Sequence, residues 1–367
     1  MTRFPNSLPE ARTPDPRSAP TMRWGVLGTG WIADKFVFAL QRHSSQQVLA
    51  VGSRQLEAAA AFAQRFGIQR SYGSYEALVA DQDIDIVYIA TPHNAHLPCA
   101  LLALEADKHT LVEKPLALSA AQGREIGQLA HRRNRFCMEA YWTAFLPKFD
   151  VLRQVLESGL LGEIAAVVAD FGEWFPAKHR IHDPELAGGP MHDLGTYLVS
   201  FVLDVLGVPD QVLACGVPTG SGVNGQTAIL MTRGAQQAVL HTTILANTPT
   251  AATIAGSQAT LTVDGPFYQP GGFTLTTSDG SARLRYDEPQ IAHEGLHFQA
   301  AEVARRIRAG ETGSPLRPLS SSIEMLQVMD EVRRQTGDRF IEEQQAARPF
   351  VAGVPSPHGD RAQADAD

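Results

Sequence analysis

The chain has 367 residues, 44% hydrophobic and 19% charged, a globular composition long enough for two domains with cores. A formal net charge of -8 gives no basic footprint for nucleic acid or an anionic membrane, and no run has the apolar length of a membrane span. Small molecules are the expected partners, with no nucleic acid and no membrane.

Residues 1–21 are rich in Pro, Arg and Ser and read as a disordered leader; residues 346–367 read as a polar tail. Between them, 22–142 and 143–345 are expected as two domains. Cys99, Cys137 and Cys215 are widely spaced with no C-x-x-C, which suits a reducing, cytoplasmic setting and suggests no metal site.

From residue 22 the pattern alternates. Strands are expected at 22–27, 47–52, 84–90, 109–112 and 136–140, with helices at 31–41, 56–66, 74–79, 95–104 and 120–132. That rhythm predicts an α/β fold with a parallel, doubly wound Rossmann sheet. Its first turn, Gly25-Val26-Leu27-Gly28-Thr29-Gly30-Trp31-Ile32-Ala33, fits G-x-G-x-x-A, in which glycines permit a tight turn and close approach to a pyrophosphate at a helix start. Gly28, Gly30, Trp31 and Ile32 are therefore candidate cofactor contacts.

An acidic residue about 20 positions beyond the glycines would bind an NAD ribose. Here the second strand ends instead in Ser53-Arg54, a hydroxyl and a guanidinium suited to a 2′-phosphate. NADP is favoured over NAD; the alternative is a solvated Arg54 beside an N-capping Ser53. The crevice edge then carries Thr91-Pro92-His93-Asn94-Ala95-His96 and Glu113-Lys114-Pro115. Thr91, Pro92, His93, His96 and Glu113 are candidate cofactor contacts, with satisfied loop histidines as the plainer reading of the pair. Lys114 is placed to bond a substrate oxygen and manage its proton. Pro115 is a candidate for a cis bond.

Beyond Trp142 the rhythm changes. Helices are expected at 148–158, 191–206, 296–308 and 320–335, with a β run at 163–174 and short strands at 226–232, 238–244, 252–255, 259–263 and 273–277. These predict an α+β domain with an open sheet of consecutive antiparallel strands and helices on one face. The other face is free, which predicts a homodimer through this sheet.

Together, Gly28-Thr29-Gly30, Ser53-Arg54, Thr91-Pro92-His93, Glu113-Lys114-Pro115 and Met138-Glu139-Ala140-Tyr141-Trp142 resemble the glucose-fructose oxidoreductase/inositol dehydrogenase family. The chain is most similar to its branch of trans-dihydrodiol dehydrogenases and NADP-dependent D-xylose 1-dehydrogenases. The resemblance extends to Gly188-Gly189-Pro190-Met191-His192-Asp193-Leu194-Gly195-Thr196-Tyr197. It implies hydride transfer between NADP and a sugar, polyol or dihydrodiol, with Lys114 and Tyr197 as the proton-handling pair and Asp193 orienting hydroxyls. The ammonium of Lys114 is expected to depress the Tyr197 pKa. Trp142, His192 and Lys178 are candidate substrate contacts, His192 standing where that branch more often has an aliphatic residue. Two other readings stay open at this point: a nucleotide-sensing regulator without turnover, and a redox-neutral enzyme with tightly held NAD.

Overall fold

The computed structural model describes residues 4–338 and 340. Its first sheet contains β1 (Arg23–Leu27), β2 (Gln47–Gly52), β3 (Arg70–Tyr72), β4 (Ile86–Ile89), β5 (His109–Glu113) and β6 (Cys137–Ala140). All pairings are parallel, in the order β3-β2-β1-β4-β5-β6. Apolar side chains on both faces of β1, β4 and β6 are buried because helices cover the sheet on each side. Those helices are α1 (Trp31–His43), α2 (Leu56–Phe66), α3 (Tyr75–Val79), α4 (His96–Glu105) and α5 (Ala120–Arg133).

Local chemistry sets their ends. Ser74 and Ser119 accept the amides of Ala77 and Gln122 and start α3 and α5. α2 stops at Gly67, whose φ of 65° is left-handed. The order in which strands are added reverses between β1 and β4, so a crevice opens at their carboxyl ends. The three-residue edge strand β3 has no expected counterpart, since Arg70-Ser71-Tyr72 is only half-buried and too short to show a period.

The second domain starts with α6 (Pro147–Glu157) and β7 (Ile164–Gly172), followed by α7 (Thr196–Leu206). Then come β8 (Gln211–Pro218), β9 (Asn224–Arg233), β10 (Gln236–Thr243), β11 (Ala252–Gly256), β12 (Ala259–Val263), β13 (Phe273–Thr277) and β14 (Arg283–Tyr286). Helices α8 (His297–Arg308) and α9 (Leu319–Thr336) close the described fold. The sheet order is β14-β13-β12-β11-β7-β10-β9-β8. Consecutive strands pair antiparallel as expected, except that β7 sits in the middle and pairs parallel with β10. A parallel pair cannot be joined by a hairpin, and the connection from β7 runs through α7, β8 and β9.

The leader corrects its expectation. Phe4, Leu8 and Ala11 pack on the core, and Arg12 donates to Asp150 of α6 through its amide at 2.6 Å and Nη2 at 2.9 Å. Scattered apolar anchors and one guanidinium hold a segment whose composition alone suggests disorder. The expected tail at 346–367 lies outside the described residues.

A buried charge network links the domains. Glu139 of β6 accepts Arg317 Nε at 2.9 Å, Ser322 Oγ at 2.7 Å and the Leu116 amide at 2.9 Å. Arg317 Nη2 also donates to Ser200 Oγ of α7 at 3.0 Å. Arg317 and Glu139 are both buried, so each depends on these bonds in place of water.

Candidate active site

The nucleotide side begins at the β1–α1 turn. Gly28 has φ 102°, and a Cβ there would stand 2.5 Å from the carbonyl oxygen of Ala90, so only glycine fits. At Gly30 a Cβ would meet nothing within 4 Å, leaving open space in front of the helix. α1 has no side-chain cap, so its first amides face that space, with Trp31 60% exposed beside it. Ser53 is half-buried and Arg54 exposed just past Gly52, which pairs with Leu27 at the same sheet edge. A glycine cradle, open helix amides and a nearby guanidinium form a donor set that fits a dinucleotide phosphate chain.

The β4 loop is placed differently from its expectation. His96 is fully buried, Nδ1 facing the Pro115 carbonyl oxygen at 2.7 Å and Nε2 the Thr91 carbonyl oxygen at 3.0 Å. It ties two crevice loops together and is not a cofactor contact; burial pushes its pKa down to about 4. Thr91 and His93 are buried and Pro92 half-buried beside the crevice. His93 Nε2 lies 3.9 Å from Asp193 Oδ1, while Nδ1 has no hydrogen-bond partner among the described residues. Burial holds this imidazole well below its usual pKa, hence neutral.

Glu113 also turns away from the open crevice. Its carboxyl accepts Tyr88 Oη at 2.5 Å and the Lys114 amide at 3.1 Å, so it orients the lysine backbone. Burial pushes its pKa up to about 7. The Lys114-Pro115 bond is cis.

Across the crevice, Met191–Gly195 forms a π turn ahead of α7, where a continuous helix is expected from 191. Here Lys114 Nζ donates to the Asp193 carbonyl oxygen at 2.5 Å and lies 3.4 Å from Oδ1. Arg180 Nη2 meets the other carboxylate oxygen at 3.0 Å. Burial acts to raise the Asp193 pKa, but Lys114 and Arg180 outweigh it and hold the group far below the ordinary carboxylate range.

Lys114 Nζ also stands 5.1 Å from the centre of the Tyr197 ring, over its face and not at its hydroxyl. Tyr197 Oη accepts Trp142 Nε1 at 2.9 Å, and the ring packs against Tyr268 at 4.4 Å and Tyr141 at 5.8 Å. Burial, with Tyr268 and Glu113 adding to it, raises the Tyr197 pKa well above its usual value. This corrects the expected depression: the apolar surroundings of the phenol dominate over the ammonium.

Of the expected substrate contacts, His192 lies elsewhere. His192 is buried, with Nε2 3.3 Å from the Leu118 carbonyl oxygen and its ring against Phe340, and burial holds its pKa at about 3. Adjacent helical positions point in different directions, so His192 leaves the face that Asp193 shares with Tyr197. Lys178 is exposed, and Arg180 is the loop cation that reaches the carboxylate. Trp142 is central. His293, unanticipated, stacks on Trp142 at 5.5 Å and meets the edge of Trp31 at 4.7 Å, bridging the glycine turn to the second domain.

A parallel sheet with a glycine cradle at its switch point, facing a lysine–aspartate pair, defines a dinucleotide-dependent oxidoreductase. Residues 22–141 match the NAD-binding Rossmann-fold domain of the GFO/IDH/MocA oxidoreductase family, and 149–262 match its C-terminal domain. The chain belongs to this family and is an NAD(P)-dependent enzyme.

It is 34% identical over 327 residues to trans-1,2-dihydrobenzene-1,2-diol dehydrogenase of Xenopus tropicalis, spanning 86% of this chain and 98% of that protein. The Homo sapiens protein of the same name is 32% identical over 331 residues, spanning 87% and 98%. Among solved structures, KijD10, a 3-ketoreductase from Actinomadura kijaniata in complex with NADP and TDP-benzene, superposes with a TM-score of 0.78 at 25% identity, covering 86% of this chain and 98% of that one. Levoglucosan dehydrogenase in complex with NADH and L-sorbose shares the fold at 0.78 and 18% identity, over 86% and 97%. Among the described residues no helix is long and apolar enough to cross a membrane.

Proposed function

We propose that this enzyme transfers a hydride between NADP and a secondary alcohol carbon of a polyol, sugar or dihydrodiol. The observation that carries the reading is the convergence of Asp193 and Tyr197 on Lys114 at the sheet's carboxyl edge: the carboxylate lies 3.4 Å from Nζ and the ring centre 5.1 Å from it. The dihydrodiol named for relatives at about a third identity supports the substrate class. Arg54 and Ser53, in place of an acidic residue at the end of β2, support NADP, as does the NADP named for KijD10.

Gly28, Gly30 and the first amides of α1 would hold the pyrophosphate, with Ser53 and Arg54 on the 2′-phosphate. NADP, when bound, supplies the hydride acceptor. In reduction the Lys114 ammonium, the form that pairs with Asp193, gives a proton to the oxygen as hydride reaches carbon; in oxidation the carbinol loses a hydride from carbon and a proton from oxygen, and Lys114 takes that proton after releasing its own to water. Tyr197 keeps its own proton because it is buried, and donates a hydrogen bond to the same oxygen while accepting one from Trp142. Asp193 stays ionised, a hydroxyl acceptor that also fixes Lys114. His192 and Lys178 have no part in this scheme. Mixing protein, NADP and trans-1,2-dihydrobenzene-1,2-diol or D-xylose, and following absorbance of the reduced nicotinamide, tests the assignment; no reduction with any polyol or aldose would favour a nucleotide sensor.

The same reading includes a homodimer in the cytoplasm. Val168, Val239, Leu230 and Leu213 align across β7, β10, β9 and β8 on the outer sheet face, with Val168, Val239 and Leu213 exposed. A self-facing apolar row of this kind suits an isologous interface.

A further inference from the structure

Two cationic side chains meet at the Asp193 carboxylate, and they differ in access. Asp193 and Lys114 are largely enclosed, whereas the Arg180 side chain is 43% exposed. Arg180 is therefore the member of this group most open to solvent. Its loop holds it there: neighbouring Ile181 is fully buried, His179 Nδ1 accepts the Ile181 amide at 3.2 Å, and Asn94 Nδ2 donates to the Glu185 carbonyl oxygen at 3.1 Å.

The guanidinium has five N–H donors, and Nη2 is the nitrogen bonded to Asp193, at 3.0 Å from Oδ2 and 3.3 Å from Oδ1. Lys114 approaches the same carboxylate at Oδ1. Two cations thus flank one acceptor. An oxygen at Lys114, whose proton goes to the lysine, and a second oxygen on the adjacent carbon can each face a cation, while the proton of the second hydroxyl faces Asp193. A monohydric alcohol fills only the first position.

We propose that Arg180 is a specificity-determining residue that donates a hydrogen bond to the hydroxyl next to the carbon being oxidised, so that the site selects vicinal diols over monohydric alcohols. This rests on the proposed polyol dehydrogenase reading. It accounts for a part-exposed cation that is bonded to the site carboxylate through Nη2 and has further donors on Nε and Nη1, and Arg suits the task better than Lys because its donors are held in a rigid fork.

The test is calorimetric titration of NADP-loaded wild type, Arg180→Gln and Arg180→Lys with trans-cyclohexane-1,2-diol and with cyclohexanol. Arg180→Gln is expected to weaken diol binding roughly tenfold to a hundredfold, the scale of one hydrogen bond to a charged group, and to leave cyclohexanol and NADP affinity unchanged. Arg180→Lys, which keeps the charge, is expected to recover part of the loss. An equal loss for both alcohols, or no loss for the diol, would overturn the proposal. Turnover of the diol by the wild type is read separately: its absence alongside Arg180-dependent binding rejects hydride transfer and retains the role of Arg180.

Discussion

Lys114 Nζ is bonded to the backbone carbonyl oxygen of Asp193 at 2.5 Å while standing 3.4 Å from its carboxylate, so one residue of the second domain fixes the lysine of the first at two points. The contact crosses the crevice and joins the two domains at the reacting end of the site.

The lysine and tyrosine should separate by role. Lys114→Ala removes the proton-transfer group and is expected to lower kcat by about 10²- to 10⁴-fold. Tyr197→Phe removes one hydrogen bond to the substrate oxygen and should cost less, roughly tenfold to a hundredfold. Steady-state kinetics with NADP affinity measured alongside checks both; a larger loss for Tyr197→Phe would return the acid/base role to the phenol.

Asp193 makes acid stability predictable. Its folded pKa lies below the ordinary value of 3.8, so the unfolded chain binds this proton more readily. The stabilisation it provides is full above pH 3.8 and is lost as pH falls through that value towards the depressed folded one. Denaturant titrations between pH 2 and 7 should show a steeper acid decline in the wild type than in Asp193→Asn; parallel curves would contradict the pairing.

Nucleotide choice should follow Arg54. Arg54→Ala is expected to raise KM for NADP about tenfold to a hundredfold with little change for NAD, the cost of charge-assisted bonds to a 2′-phosphate. Equal effects on both nucleotides would return Arg54 to a solvated helix-start residue.

The domain junction should be sensitive to losing one charge. Arg317→Met leaves Glu139 buried without its partner, a change expected to cost about 3–5 kcal/mol in urea unfolding. The double variant Glu139→Gln/Arg317→Met should recover part of that loss, since no lone charge remains.

Most of the fold was legible because its elements have strong local signals. Strand-length apolar runs and the glycine turn located five of the six strands of the first sheet within a residue or two, all but β3. β7 beside β10 was not legible, because pairing between segments some 70 residues apart leaves no local period. In the site, Lys114 was a candidate from its place at the end of a crevice strand, while Asp193 and Tyr197 were reached only through the family resemblance, since a tyrosine and an aspartate at a helix start are as often a packed ring and a dipole-complementing acid. Arg180 was visible only as one of several loop charges, and nothing in the order of Lys178, His179 and Arg180 says which reaches the carboxylate. His293 and Tyr268 come from loops far from any motif and enter the site only through tertiary packing. The Tyr197 pKa went the other way because its enclosing rings come from Tyr141 and Tyr268, which sequence proximity to a lysine motif does not reveal.

The most direct measurement of the central claim is the absorbance of reduced nicotinamide when NADP and trans-1,2-dihydrobenzene-1,2-diol are mixed with wild type and with Lys114→Ala. The account predicts NADP reduction by the wild type and a rate at least about a hundredfold lower in the variant, with NADP still bound. Reduction at similar rates by both proteins would contradict it.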